Sequence, residues 1–133
     1  MTVLGRVGLV VLFAPLLLPV PTLADPASDY VLHCQGCHGV NGEGSVDGAP
    51  PFRGHLRRFA RTELGRAYLL GVPGVAHTEL DDARLAALLN WLLWKFDPDG
   101  SDVRQFTPEE VRAGRQRPLL SVPVARRQVL DEQ

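Results

Sequence analysis

The stretch YVLHCQGCHGVNGEG, Tyr30 to Gly44, decides how the rest of the chain is read. It places Cys34 and Cys37 two residues apart, sets His38 directly after the second, and then runs into a glycine-rich turn. Four readings fit such a pattern: a redox-active dithiol or structural disulfide, half of a zinc site, the attachment point of haem c, or a coincidence. The surrounding sequence has to discriminate among them.

Working outward, the N-terminal flank bears on the compartment. Met1 to Ala24 is one apolar tract behind a single basic residue, Arg6, and it is interrupted by Pro15, Pro19 and Pro21. Its hydrophobic run is short for a membrane span, which needs roughly 20 apolar residues. Thr22 and Ala24 put small side chains where a signal peptidase requires them, so residues 1–24 are expected to be a signal peptide cleaved after Ala24. The expected location is therefore the periplasm, with a membrane-anchored protein facing the periplasm as the alternative if the segment stays uncleaved.

The chain has 133 residues, and the part beyond Ala24 suffices for one compact domain with a modest core. With 15 acidic and 14 basic residues, its formal charge of −1 argues against a general nucleic-acid binder. The charge is unevenly spread. Arg53, Arg57, Arg58, Arg61 and Arg66 form a basic segment, whereas Glu79, Asp81, Asp82, Asp97, Asp99 and Asp102 make a later part acidic. Two readings stay open: ordinary solvated helix faces, or a docking surface for a charged redox partner.

Downstream of the motif the pattern is helical. Asp25 and Pro26 suit the start of a short helix through Leu32, and the glycines and prolines of residues 39–54 suit a loop. Leu56, Phe59, Ala60, Leu64, Ala67 and Tyr68 give one apolar side to a helix between Leu56 and Leu70, which Gly71-Val-Pro-Gly74 should stop. The clearest helix spans Asp81 to Phe96, where Leu85, Leu88, Leu89, Leu92, Leu93 and Phe96 form a single apolar stripe. Thr107-Pro108-Glu109-Glu110 opens one more short helix, and beyond Pro118 the chain reads as loose. The expected organisation is a helical domain over 25–98 followed by an extension over 99–133, whose apolar residues either fold back on the domain or bind a partner.

This context separates the readings of the motif. A thioredoxin-like dithiol needs no histidine and should lie between a strand and a helix, while zinc would want a second ligand pair that the chain does not supply. Haem c uses every fixed residue: two thiols add across two vinyl groups and an imidazole ligates the iron. From Tyr30 through Phe96 the chain resembles the class I c-type cytochromes. The resemblance rests on Tyr30 one turn ahead of Cys34, on CQGCHG and VNGEG, on the APPFRG loop, on GVPGVAH, and on LDDARLAALLNW as a last core helix with Trp91 at an aromatic position. It implies an all-α, cytochrome c-like fold, a single small helical domain around one covalently bound haem. It implies thioether bonds at Cys34 and Cys37 and proximal iron ligation by His38. Pro50 would offer its carbonyl to the proximal imidazole, or simply stiffen the loop.

The departure from the family is the second iron ligand, usually a methionine before the last helix. Met1 is the one methionine, and His77 stands at the matching place, so His77 is the candidate distal ligand. His33 is tied to the motif itself, His55 follows the Pro50 loop, and Lys95 lies well along the last helix. Two imidazoles would give a lower potential than histidine with methionine, and a saturated iron suits electron transfer. The leading expectation is thus a periplasmic monohaem electron carrier between redox proteins, without catalytic residues, working as acceptor or small subunit of a dehydrogenase or in an oxidase chain. The alternative is a small-ligand sensor or weak peroxidase with an open distal position. A third reading is a haem-free module with Cys34 and Cys37 as a disulfide.

Overall fold

A computed structural model describes residues 25–46, 48–98 and 102–132. The signal-peptide expectation and Asp99 lie outside the described residues. Among those residues the fold is all-α, with eight helices and no strand: α1 Pro26–His33, α2 Gln35–His38, α3 Leu56–Ala60, α4 Glu63–Gly71, α5 Pro73–Ala76, α6 Asp82–Phe96, α7 Pro108–Arg115 and α8 Val122–Asp131. No helix among the described residues is long and apolar enough to cross a membrane.

Helix α6 is the axis of the core. Asp81 caps it by accepting the Arg84 amide at 2.8 Å, and Asp82 sits at the positive end of its dipole. The whole leucine stripe and Phe96 are buried. At about 1.5–3 kcal/mol for each large apolar side chain taken from water, that face is what holds the neighbouring helices on α6. Helix α1, capped by Asp25 with Pro26 in its first turn, crosses α6 through Tyr30, whose ring lies 5.8 Å from Trp91 and 5.7 Å from Phe96. The buried Asp29 carboxylate pairs with Arg84 and joins the same two helices.

The single helix expected across residues 56–70 is two. α3 ends at Ala60, and Thr62 restarts the chain as the cap of α4, accepting the Gly65 amide at 3.0 Å. A side chain at position 65 would place its Cβ 2.0 Å from the Phe59 carbonyl oxygen, so glycine there lets α4 start hard against the end of α3. Nor does the chain simply stop at Gly71–Gly74: Val72 is extended, and Pro73 opens the one-turn α5.

The C-terminal extension is no loose tail. Val122, Ala125 and Val129 fall at i, i+3 and i+7, and in α8 they pack with Phe59 and Tyr68, with Val129 fully buried. Phe106 and Val111 belong to the main core, and the Asn90 side chain both donates to the Phe106 carbonyl and accepts its amide. The core therefore runs across the boundary drawn at residue 98.

The two charged segments largely answer one another. Asp102 pairs with Arg57 and Arg61, each at 2.7 Å. Asp82 takes Arg112 and Arg115, and the Asp97 carboxylate accepts the Gly54 and Arg57 amides at the start of α3. Arg66 leaves the basic surface altogether: it is 2% exposed, forked onto Glu110 at 2.6 and 2.7 Å, and bonded to the carbonyls of Ala60, Arg104 and Gln105. Its guanidinium also lies 3.9 Å over the Phe106 ring. Opposed charged faces for docking are reduced accordingly.

Candidate functional site

The sequence motif becomes a short helical hinge. Cys34 ends α1, and its carbonyl accepts the amides of Cys37 and His38 at 3.2 and 3.0 Å, winding the motif into the one-turn α2. Both sulfurs are free thiols, and Cys34, Cys37 and His38 all line one cavity of about 350 Å³. Burial, with smaller contributions from the Asp29 and Cys37 charges, pushes the Cys34 thiol up to about 11. A thiol so fully protonated at neutral pH is a poor redox nucleophile, which weighs against the dithiol reading. Among the described residues no group of three or more histidine, cysteine, aspartate or glutamate side chains is arranged to hold a metal ion, which weighs against zinc.

His38 is held from two directions. Its Nδ1 lies 3.1 Å from the Pro50 carbonyl oxygen, and since a carbonyl only accepts, Nδ1 carries the proton and Nε2 keeps its lone pair. Its ring stacks on Phe52 with centroids 4.0 Å apart and 19° between planes. Burial lowers the imidazole pKa and the Pro50 bond partly offsets this, so a neutral ring is favoured. The loop that makes both contacts folds back on the motif through Gly44 amide to His38 carbonyl and Phe52 amide to Gly42 carbonyl, each at 2.8 Å. Gly42, at φ +66°, lies where a Cβ would meet the Phe52 ring at 2.9 Å. Tyr30 closes the other side, its hydroxyl donating to the Gly39 carbonyl.

The rest of the cavity is mostly apolar. Leu85, Leu88, Leu89 and Leu92 of α6 form its floor, with Phe59 and Tyr68 at one side. Of the other histidines, His33 is exposed at the cavity edge, and His55 lines the cavity with a buried Nδ1 that has no hydrogen-bond partner. His77 is exposed at the end of α5 and is not among the lining residues, while Val75 and Thr78 on either side of it are. Lys95 is exposed on α6. The structure thus brings together Cys34, Cys37, His38 and Pro50 and leaves His77 apart. The sequence reading assigned no role to Phe52, although an aromatic residue two positions after Pro50 was a visible sign of it.

The chain is similar to two cytochrome c-552 sequences of Thermus thermophilus, the second from a particular strain of that species. Each is 31% identical over 116 residues, covering 72% of this chain and 88% and 78% of the respective relatives. No family profile and no solved structure matches the chain.

Proposed function

The chain belongs to the c-type cytochromes, whose cofactor is covalently attached haem c, and from that premise we propose that it carries single electrons between redox proteins. The residues present fit the group. Two unjoined thiols and a neutral imidazole with a free Nε2 face one apolar cavity, and the Pro50 carbonyl fixes that tautomer. That last contact carries the reading, because it is the orientation an imidazole needs to ligate iron. Cys34 and Cys37 would form the thioethers, each S–H adding across a vinyl double bond with no leaving group, and His38 would ligate the iron. Bound there, haem c supplies an iron that passes between ferric and ferrous states one electron at a time.

The chain's own contribution is rigidity and dryness. Phe52 and Pro50 keep the His38 ring from turning, and the leucines of α6 exclude water. The partners we propose are exported redox proteins, a periplasmic dehydrogenase or an oxidase chain, with the N-terminal segment directing export. The test is expression in cells competent in cytochrome c maturation, followed by a visible spectrum and stopped-flow electron exchange with such partners. A haem that resists acid–acetone extraction and exchange that outpaces partner turnover support the carrier; slow exchange with every partner at low ionic strength sinks it.

One observation favours a second reading, a small-ligand sensor or weak peroxidase. The segment from Val72 to Leu80 meets the cavity through Val72 to Val75, Thr78 and Leu80, and His77 is turned to solvent. If that placement governs ligation, the reduced protein binds CO and His77→Ala leaves the spectrum unchanged. A low-spin spectrum indifferent to CO, becoming CO-reactive in His77→Ala, returns the distal role to His77.

A further inference from the structure

The cavity wall formed by residues 72–80 is held in shape by a helix that lies outside it. Val72 to Val75, Thr78 and Leu80 line the cavity. Helix α5 within this segment is a single turn, and beyond it the chain's own bonds are long: the Thr78 amide reaches the Val75 carbonyl, and the Leu80 amide the Thr78 hydroxyl, at 3.5 Å each. One guanidinium on α7 supplies what is missing. Arg115 donates from Nε to the Ala76 carbonyl at 3.4 Å, from Nη1 to the Leu80 carbonyl at 2.8 Å, and from Nη2 to the Thr78 carbonyl. Three carbonyls on alternate residues are thus fixed to one planar fork, a geometry that a lysine ammonium cannot reproduce. The Asp82 carboxylate, 3.3 Å from Nη1, balances the charge, and the Arg115 side chain is only 17% exposed. Helix α7 is itself anchored by Val111 in the main core. Just beyond it the Leu119 amide donates to the Gly71 carbonyl at 3.1 Å, at the root of the same segment.

We infer that Arg115 is a positioning residue that locks this wall and so governs how readily a small neutral molecule enters the cavity beside Cys37 and His38. Arg115 does not line the cavity and acts only through the carbonyls it holds. With the fork in place, the turn moves away from the cavity only when these bonds break together; without it, the two long bonds leave the turn free to open locally. The extension beyond residue 98 thereby controls access to a site built from residues before it. This rests on the haem reading above, because the iron is what reports the entering molecule.

The test uses the haem-loaded full-length protein and Arg115→Gln, with Arg112→Gln as the control: Arg112 shares the Asp82 carboxylate, at 3.0 Å, but donates to none of the three carbonyls. Two quantities are read, stopped-flow binding of carbon monoxide to the reduced protein and deuterium exchange at the His77 and Thr78 amides against Leu88 and Leu89 of α6. In Arg115→Gln the two wall amides should exchange about tenfold faster with the α6 amides unchanged, and carbon monoxide should bind faster by a similar factor, or bind where the parent does not. Arg112→Gln should match the parent in both. Parental carbon monoxide binding in Arg115→Gln overturns the inference, as does the same rise in Arg112→Gln. Equal acceleration at Leu88 and Leu89 marks a loss of overall stability alone and overturns it too. Should Arg115→Gln fail to accumulate, Arg115→Lys carries the test: an intermediate rate supports the fork, and a parental rate overturns it. A colourless parent protein overturns the haem reading, while the exchange contrast still reads the lock, so the two failures are distinguishable.

Discussion

The wall around His38 and the C-terminal extension are held by opposite chemistries. The first uses rings and main-chain bonds: Phe52 on His38, Tyr30 on Trp91 and Phe96, the Pro50 carbonyl on Nδ1. The second is pinned by guanidinium groups, with Arg66 gripping Glu110 and three carbonyls, and Arg115 reaching the carbonyls of Ala76 and Leu80. Neutral contacts change little with pH or salt, whereas ion pairs respond to both. The lesson is a division of labour: the site is insulated from ionic conditions, and the fastening of the extension is not.

The largest expected effect tests that fastening. Arg66→Ala leaves three carbonyls without their donor and Glu110 with Arg104 alone, and should lower stability to urea by about 3 kcal/mol, with the visible spectrum of the loaded protein unchanged. The reverse pattern is expected of Phe52→Ala. Its loss of partly buried ring contact should cost about 2 kcal/mol, but the freed imidazole should alter the spectrum and the potential, read by spectroelectrochemistry. If both variants change spectrum and stability in the same proportion, the division fails.

Acid should release the extension first. Burial raises the Glu110 pKa, but its hydrogen bond to Arg66 and the charges of Arg66 and Arg104 outweigh this, and the net shift is downward from 4.5. A carboxylate with a depressed folded pKa contributes stability that is fully present above 4.5 and disappears as the pH falls through the lower folded value. Urea midpoints measured across that acid range should therefore decline, and the decline should flatten in Glu110→Gln.

Smaller still is the effect of Asp97→Ala. It removes the acceptor for the Gly54 and Arg57 amides and should cost about 1 kcal/mol by urea titration. Asp102→Asn, which loses two exposed ion pairs, should leave the urea midpoint unmoved within error.

Legibility in the sequence tracks periodicity and covalent motif. The stripe from Leu85 to Phe96 and the spacing of Cys34, Cys37 and His38 are local: the first is buried along α6 as read, and the three motif residues line one cavity. The failures are of other kinds. The break at residues 60–63 depends on the close approach of Gly65 to a carbonyl six residues back, which only a residue without a Cβ permits and no hydropathy pattern displays. Helix α8 was hidden by Pro118 and Pro123, because an early proline reads as a breaker until the helix start is located. Arg66 looked like one member of a basic surface; only the fold brings Glu110 within reach of it.

The Asp97 carboxylate joins amides 43 and 40 residues away, at Gly54 and Arg57. In terms of time, those two amides cannot be protected from solvent deuterium until α6 is complete and docked, whatever α3 does alone. They are reporters on the loop that carries Pro50 and Phe52. Exchange at Gly54 and Arg57 that keeps pace with the core amides of α6 would mean this loop opens only when the whole domain does; faster exchange would time its local opening.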